Sequence, residues 1–225
     1  MITMHEWKEM CGIEQTLLLE NNAALSGRSE SQRGLVQGVG INDATYRTMP
    51  TVEGGKVMCP AYSAWAAMLK RAYSNKYHEK NTTYKCVNVC DEWRSFMSFR
   101  GWWIENQVDG WQIDKDLLSD AKVYSPSTCL FVPPWLNSFT MNSGVRRGNY
   151  PVGAAKHKAT GKYQSTCKNT LSGKLEHLGL FNAPEAAHLA WLKRKLELAL
   201  ELKPRMDEID LRIYPRVVEI INSAK

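Results

Sequence analysis

The chain has 225 residues, of which 44% are hydrophobic, with eight tryptophans and a formal charge of +6. That content builds packed cores, which argues against intrinsic disorder, and the length suits one domain or two small ones. The charge is uneven: residues 1–140 carry 14 basic and 15 acidic side chains, residues 141–225 carry 15 and 8, so the excess belongs to a C-terminal module suited to a polyanion.

In chain order, residues 3–24 read as mostly helical, with Met4, Trp7, Cys11 and Leu18 sharing a face. The polar segment 26–34 reads as a linker, which makes residues 1–34 an N-terminal helix and linker. A middle domain is assigned to residues 35–140. Within it a helix is predicted over Pro60–Tyr73, opening at a proline, with Tyr62, Trp65, Ala66, Leu69 and Tyr73 on one side. A second helix is predicted over 91–105, with Asp91 and Glu92 at the positive end of its dipole.

The turn-rich segment 142–149 reads as the next boundary. Candidate strands follow at 151–158, 162–168 and 174–180. A helix comes next, with Asn182 as its N-cap, Glu185 three residues later and Pro184 in the first turn. It carries two apolar stripes, one of Ala186, Leu189, Leu192, Leu196, Ala199 and Leu200, the other of Ala187, Trp191, Leu198 and Leu202. A C-terminal helical extension, residues 203–225, supplies Met206, Ile209, Ile213, Val217 and Ile220 to cover one stripe, bent or broken at Pro215. The expected fold class is α+β.

From Arg146 to Lys174 the charged residues are Arg146, Arg147, Lys156, Lys158, Lys162, Lys168 and Lys174, with no acid among them. Alternation places Lys156 and Lys158 on one face of the first strand, and Lys162, Gln164 and Lys168 on one face of the second. The opposite positions, Tyr163, Leu175 and Leu178, face the helix. Lysines there would anchor phosphates, while Gln164, Arg146 and Arg147 could touch base edges. The bland alternative is a solvated lysine-rich face on a small structural domain.

The strings Gly161-Lys162-Tyr163-Gln164, Gly173-Lys174, His177-Leu178-Gly179-Leu180-Phe181, Pro184-Glu185-Ala186-Ala187 and Ala190-Trp191 run in order through residues 149–191. This stretch resembles the plant APETALA-type, ethylene-response-factor-like DNA-binding domain, which also occurs in phage and mobile-element nucleases. The resemblance implies, for residues 146–202, a small three-stranded antiparallel sheet lying in the major groove of double-stranded DNA, with a helix packed behind.

Another set of strings is Val89-Cys90-Asp91-Glu92-Trp93, Ile113-Asp114-Lys115-Asp116, Val123-Tyr124-Ser125-Pro126-Ser127-Thr128-Cys129 and Leu136-Asn137-Ser138. Over residues 60–137 the chain resembles a phage-encoded HNH homing-endonuclease-like family. That implies a ββα-metal domain, Asp114 and Asn137 as ligands of one Mg²⁺, and residence in the cytoplasm of a bacterial host. The implied reaction is phosphodiester hydrolysis, with the ion stabilising charge on the departing oxygen. Lys115 stands where such a family has its histidine base. In its place Asp116 could act as base through a water, or Lys115 could neutralise the phosphate. The turn Ser119-Asp120-Ala121-Lys122 lacks the Gly-Asn expected before that lysine. Without the resemblance, Asp114 and Asp116 read as a polar hairpin end and Asn137 as a helix cap.

The cysteines Cys11, Cys59, Cys86, Cys90, Cys129 and Cys167 are scattered, and no apolar signal region opens the chain, so reduced thiols in a cytoplasmic protein are expected. Cys86 and Cys90, with Cys59 and Cys129, could bind structural zinc, but one C-x₃-C pair is looser than the usual spacing, and packing is the better reading. His78 is read as a surface side chain. No run of about 18 apolar residues occurs, so no membrane partner is expected. The leading expectation is a phage-type DNA endonuclease or nickase. Its alternatives are a degenerate DNA-binding protein acting in regulation, packaging or against host defence, and a protein-binding inhibitor. In the last, the terminal helices would meet a host protein or build a homo-oligomer.

Overall fold

The computed structural model describes residues 2–21, 33–140 and 150–224. They form an α+β protein that divides into two compact units, Met1–Phe131 and Val132–Lys225.

In the first unit the N-terminal helical stretch is two helices, α1 (Met4–Glu9) and α2 (Gly12–Asn21). Thr3 and Glu6 start α1 with a reciprocal capping box, Thr3 Oγ1 accepting from the Glu6 amide and the Glu6 carboxylate from the Thr3 amide. Strands β1 (Thr51–Val52) and β2 (Gly55–Lys56) form a small hairpin. Helix α3 (Pro60–Tyr73) begins at its proline as expected, and α2 packs on it. Trp7 and Leu19 are buried in one core with Trp65, Trp93, Phe96 and Phe99. The N-terminal helices therefore belong to the core of the middle domain, which corrects their assignment to a separate segment 1–34. Burial decides this, since each such side chain contributes about 1.5–3 kcal/mol when removed from water. Of the expected linker, residues 26–32 lie outside the described residues; Arg33 donates to the Asn42 and Ala44 carbonyls.

After α4 (Asn75–Lys80), β3 (Asn88–Val89) pairs in parallel with the later β5 (Val123–Tyr124). The helix predicted over 91–105 is interrupted. A 3-10 turn, Glu92–Arg94, precedes α5 (Phe96–Asn106). Ser95 causes the break: its hydroxyl accepts from the Ser98 amide and donates to Asp43 at 2.6 Å, so it caps α5 and Asp91 and Glu92 stand outside it. Strand β4 (Gln112–Asp114) pairs with β6 (Leu130–Val132).

The second unit holds α6 (Pro134–Thr140), a three-stranded antiparallel sheet of β7 (Ala154–Lys156), β8 (Tyr163–Lys168) and β9 (Leu175–Phe181), then α7 (Pro184–Asp207) and α8 (Ile213–Ser223). The unit boundary falls before α6, not in 142–149; residues 141–149 lie outside the described residues. Ala183, not Asn182, is the N-cap of α7, with no side-chain cap bond. Ala187, Leu198, Ala199, Leu202 and Met206 of α7 are buried, as are Ile213, Val217 and Ile221 of α8, and the two helices pack together. Leu189 and Leu200, expected to be covered, are each 61% exposed. The chain breaks between α7 and α8, whereas Pro215 sits in the first turn of α8, where its missing N–H interrupts no helical bond.

Candidate nucleic-acid interface and the Asp114 turn

The three-stranded sheet has one covered and one open face. Helix α7 packs on all three strands. Ser165, Cys167 and Ala154 are buried beneath it, and Ser165 Oγ donates to the Ala187 carbonyl at 2.7 Å. Gly153 permits close approach: with φ +81°, any Cβ there would lie 2.2 Å from the Trp191 side chain. At the far edge Arg194 of α7 donates to both Glu176 oxygens, at 2.7 and 3.2 Å, and Asn169 donates to Glu176 at 2.7 Å. Those bonds hold the Glu176 carboxyl down at about 2.

Register defines the open face. Gln164 pairs with Leu180, Thr166 with His177 and Lys168 with Leu175, while Ala155 pairs with Gln164 on the other side. Directly paired residues share a face. A bulge between Ser165 and Thr166 adds one residue to β9, so His177 and Leu180 lie on the same side despite their odd spacing. Leu175 is 70% exposed, which corrects its expected position against the helix. Thr166 falls on this face by simple alternation from Gln164, whereas His177 and Leu180 share it only because of the bulge. Gly179, a glycine inside a strand, is a local sequence signal of the bulge, and its backbone adopts φ +128° there.

Cations stand at both ends of this face. Lys158 and Lys162 are exposed in the β7–β8 hairpin, closed by the His157 amide donating to the Lys162 carbonyl; Lys168 and Lys174 are exposed at the opposite end. Lys156 differs. It pairs with Tyr163 and its ammonium lies 4.4 Å from that ring's centre, off the open face. Arg146 and Arg147 lie outside the described residues. Gln164 is partly buried on the open face, and no acid occurs among the paired residues there.

Asp114 ends β4, and its Oδ1 accepts the amides of Asp116 (2.9 Å) and Leu117 (2.7 Å), the geometry of an Asx turn. Burial raises its carboxyl above the usual range, against those two bonds. Lys115 is buried, only 5% exposed, with its ammonium 5.6 and 5.7 Å from the ring centres of Tyr84 and Tyr124 and paired with the exposed Asp116. Arg71 donates to the Tyr124 hydroxyl at 3.4 Å. Asn137 lies on α6 in the second unit and has interactions of its own. For a divalent ion Asp114 offers one hard oxygen, Oδ2, whereas its Oδ1 is engaged by backbone amides and Asp116 by Lys115.

His78 Nε2 is 2.8 Å from the Arg71 carbonyl. The cysteines are spread out: Cys59, Cys129 and Cys167 are buried, Cys86 is exposed, and burial pushes the Cys129 thiol up to about 12. Among the described residues, no three His, Cys, Asp or Glu side chains cluster as a metal site. No helix among them is long and apolar enough to cross a membrane. No protein-family model, no curated protein and no solved structure matches the chain.

Proposed function

We propose that the protein binds double-stranded DNA through the open face of the β7–β8–β9 sheet. One observation carries the reading: an acid-free strand face, backed by α7, with lysines at both of its ends. Six residues of β8 span about 20 Å. Side chains at its two ends can therefore reach phosphates on both sides of a major groove about 12 Å wide, while the centre meets base edges. Lys158, Lys162, Lys168 and Lys174 would take phosphates; Gln164 would take bases.

The test is a salt titration of full-length protein with a fluorescent duplex. Affinity should fall steeply as salt rises, because phosphate contacts release counterions. A protein that leaves the duplex free even in dilute buffer is not a DNA-binding protein.

A second reading makes it an Mg²⁺-dependent endonuclease. Supporting it are the pairing of β4 with β6, the helix α6 that follows β6 in the chain, and the position of Asp114 at the end of β4. Asp114 would be the ligand supplied by the β4 turn, and the ion would supply charge stabilisation to the leaving oxygen. Lys115, sheathed by two tyrosines and paired with Asp116, would hold the turn in shape rather than move a proton. Incubation with supercoiled plasmid and Mg²⁺ tests this: cutting absent from Asp114→Ala supports it, and cutting by neither protein ends it.

A further inference from the structure

Building on the duplex-binding reading, we infer that the open sheet face prefers A·T over G·C base pairs, with Gln164 reading adenine and Leu180 the adjoining thymine methyl. The register places these two side chains directly opposite each other on the open face. Glutamine pairs bidentately with adenine N6 and N7 in the major groove, and an apolar side chain there meets the C5-methyl that only thymine carries. Leu180 is 38% exposed and Leu175 70% exposed. Two open leucines on a cationic sheet face are costly in water and useful against a methyl row.

The described arginines of the second unit support the same choice by where they are. Arginine is the commonest reader of guanine. In the described part of the second unit every arginine is engaged elsewhere: Arg194 with Glu176, Glu197 and Glu201, Arg205 over the Trp135 ring, Arg212 with Asp210 and Arg216 with Glu219. The open face retains amide, hydroxyl, imidazole and aliphatic groups in its centre, at Gln164, Thr166, His177 and Leu180. Lys168 sits at the end of β8, where the flanking phosphate row would fall.

The experiment measures full-length protein on three duplexes of equal length at one salt concentration. One is A·T-rich, one is the same sequence with deoxyuridine in place of thymidine, and one is G·C-rich. The A·T duplex should bind roughly 10- to 100-fold tighter than the G·C duplex, the range expected of a good bidentate contact. The deoxyuridine duplex should bind several-fold weaker than the thymidine one, and Leu180→Ala should erase that difference. Gln164→Ala should reduce the A·T preference while salt-dependent binding persists. Equal affinity for A·T and G·C duplexes, or indifference to the methyl, overturns the inference and leaves duplex binding standing. Failure to bind any duplex overturns the parent reading too, and would turn the two exposed leucines into evidence for a protein partner.

Discussion

Arg194 and Glu176 form a two-pronged ion pair, 2.7 Å from Nε to Oε2 and 3.2 Å from Nη2 to Oε1, which fastens α7 to the last strand of the sheet. The same guanidinium also reaches Glu197 and Glu201 on its own helix. It thereby fixes the backing of the face proposed to meet DNA, and forked geometry makes such a pair more specific than a lysine contact.

The pair should make stability depend on acidity in a definite direction. The Glu176 carboxyl is held near 2 in the fold, against about 4.3 in an unfolded chain. Its contribution is complete above the unfolded value and disappears as pH falls through the folded one. Wild type should therefore unfold at a higher temperature than Glu176→Gln at pH 7. The gap should close between pH about 4.5 and about 2, as followed by circular dichroism. A gap that is independent of pH would show that the carboxylate charge contributes nothing.

The second prediction concerns Lys115 and Asp116. The ammonium is buried between Tyr84 and Tyr124 while its anion is 64% exposed. Losing the exposed partner leaves a buried cation short of its counter-charge, whereas losing the buried lysine lets Asp116 turn to water. Asp116→Asn should accordingly cost about 1–3 kcal/mol, and Lys115→Met, of similar length and apolar, less than that. Urea unfolding of the two variants checks the order; the reverse order would mean that packing by the lysine stem outweighs its charge.

Much of this architecture is legible in the chain, but unequally. The proline at residue 60 and the apolar spacing after it define α3 to the residue, and the three basic strands fall within a few positions of those observed. Local pattern misses what is decided at a distance. The hydroxyl of Ser95 breaks a helix because Asp43, far away in sequence, waits to accept from it. The bulge reverses the side to which Leu180 points, since a single extra residue inverts every later side chain. The strings around Asp114 suggest a catalytic hairpin; burial of Lys115 between two tyrosines depends on packing that no short motif encodes.

Gly153 gives a third prediction, about close packing. A methyl at this position would need a positive φ and would overlap the Trp191 side chain, whose nearest atom would be 2.2 Å away. Both penalties act in the same state. Gly153→Ala should lower stability by about 3 kcal/mol or more, adding overpacking to left-handed strain. Retention of the wild-type unfolding midpoint would mean that Trp191 swings clear without loss.

The last prediction separates the lysines by where the fold puts them. Lys162, Lys168 and Lys174 are exposed around the open face, while Lys156 lies on the Tyr163 ring, opposite that residue in the sheet. Each phosphate contact contributes about 0.9 to the slope of log affinity against log salt on duplex DNA. Replacing Lys162, Lys168 and Lys174 together by glutamine should therefore flatten the slope by about 2–3, and Lys156→Gln alone should change it by much less than 1. Anisotropy titrations at several salt concentrations read both slopes. A large change with Lys156→Gln, or none with the triple variant, would move the contact surface to the helix side of the sheet, where Arg194 and Glu176 already engage each other.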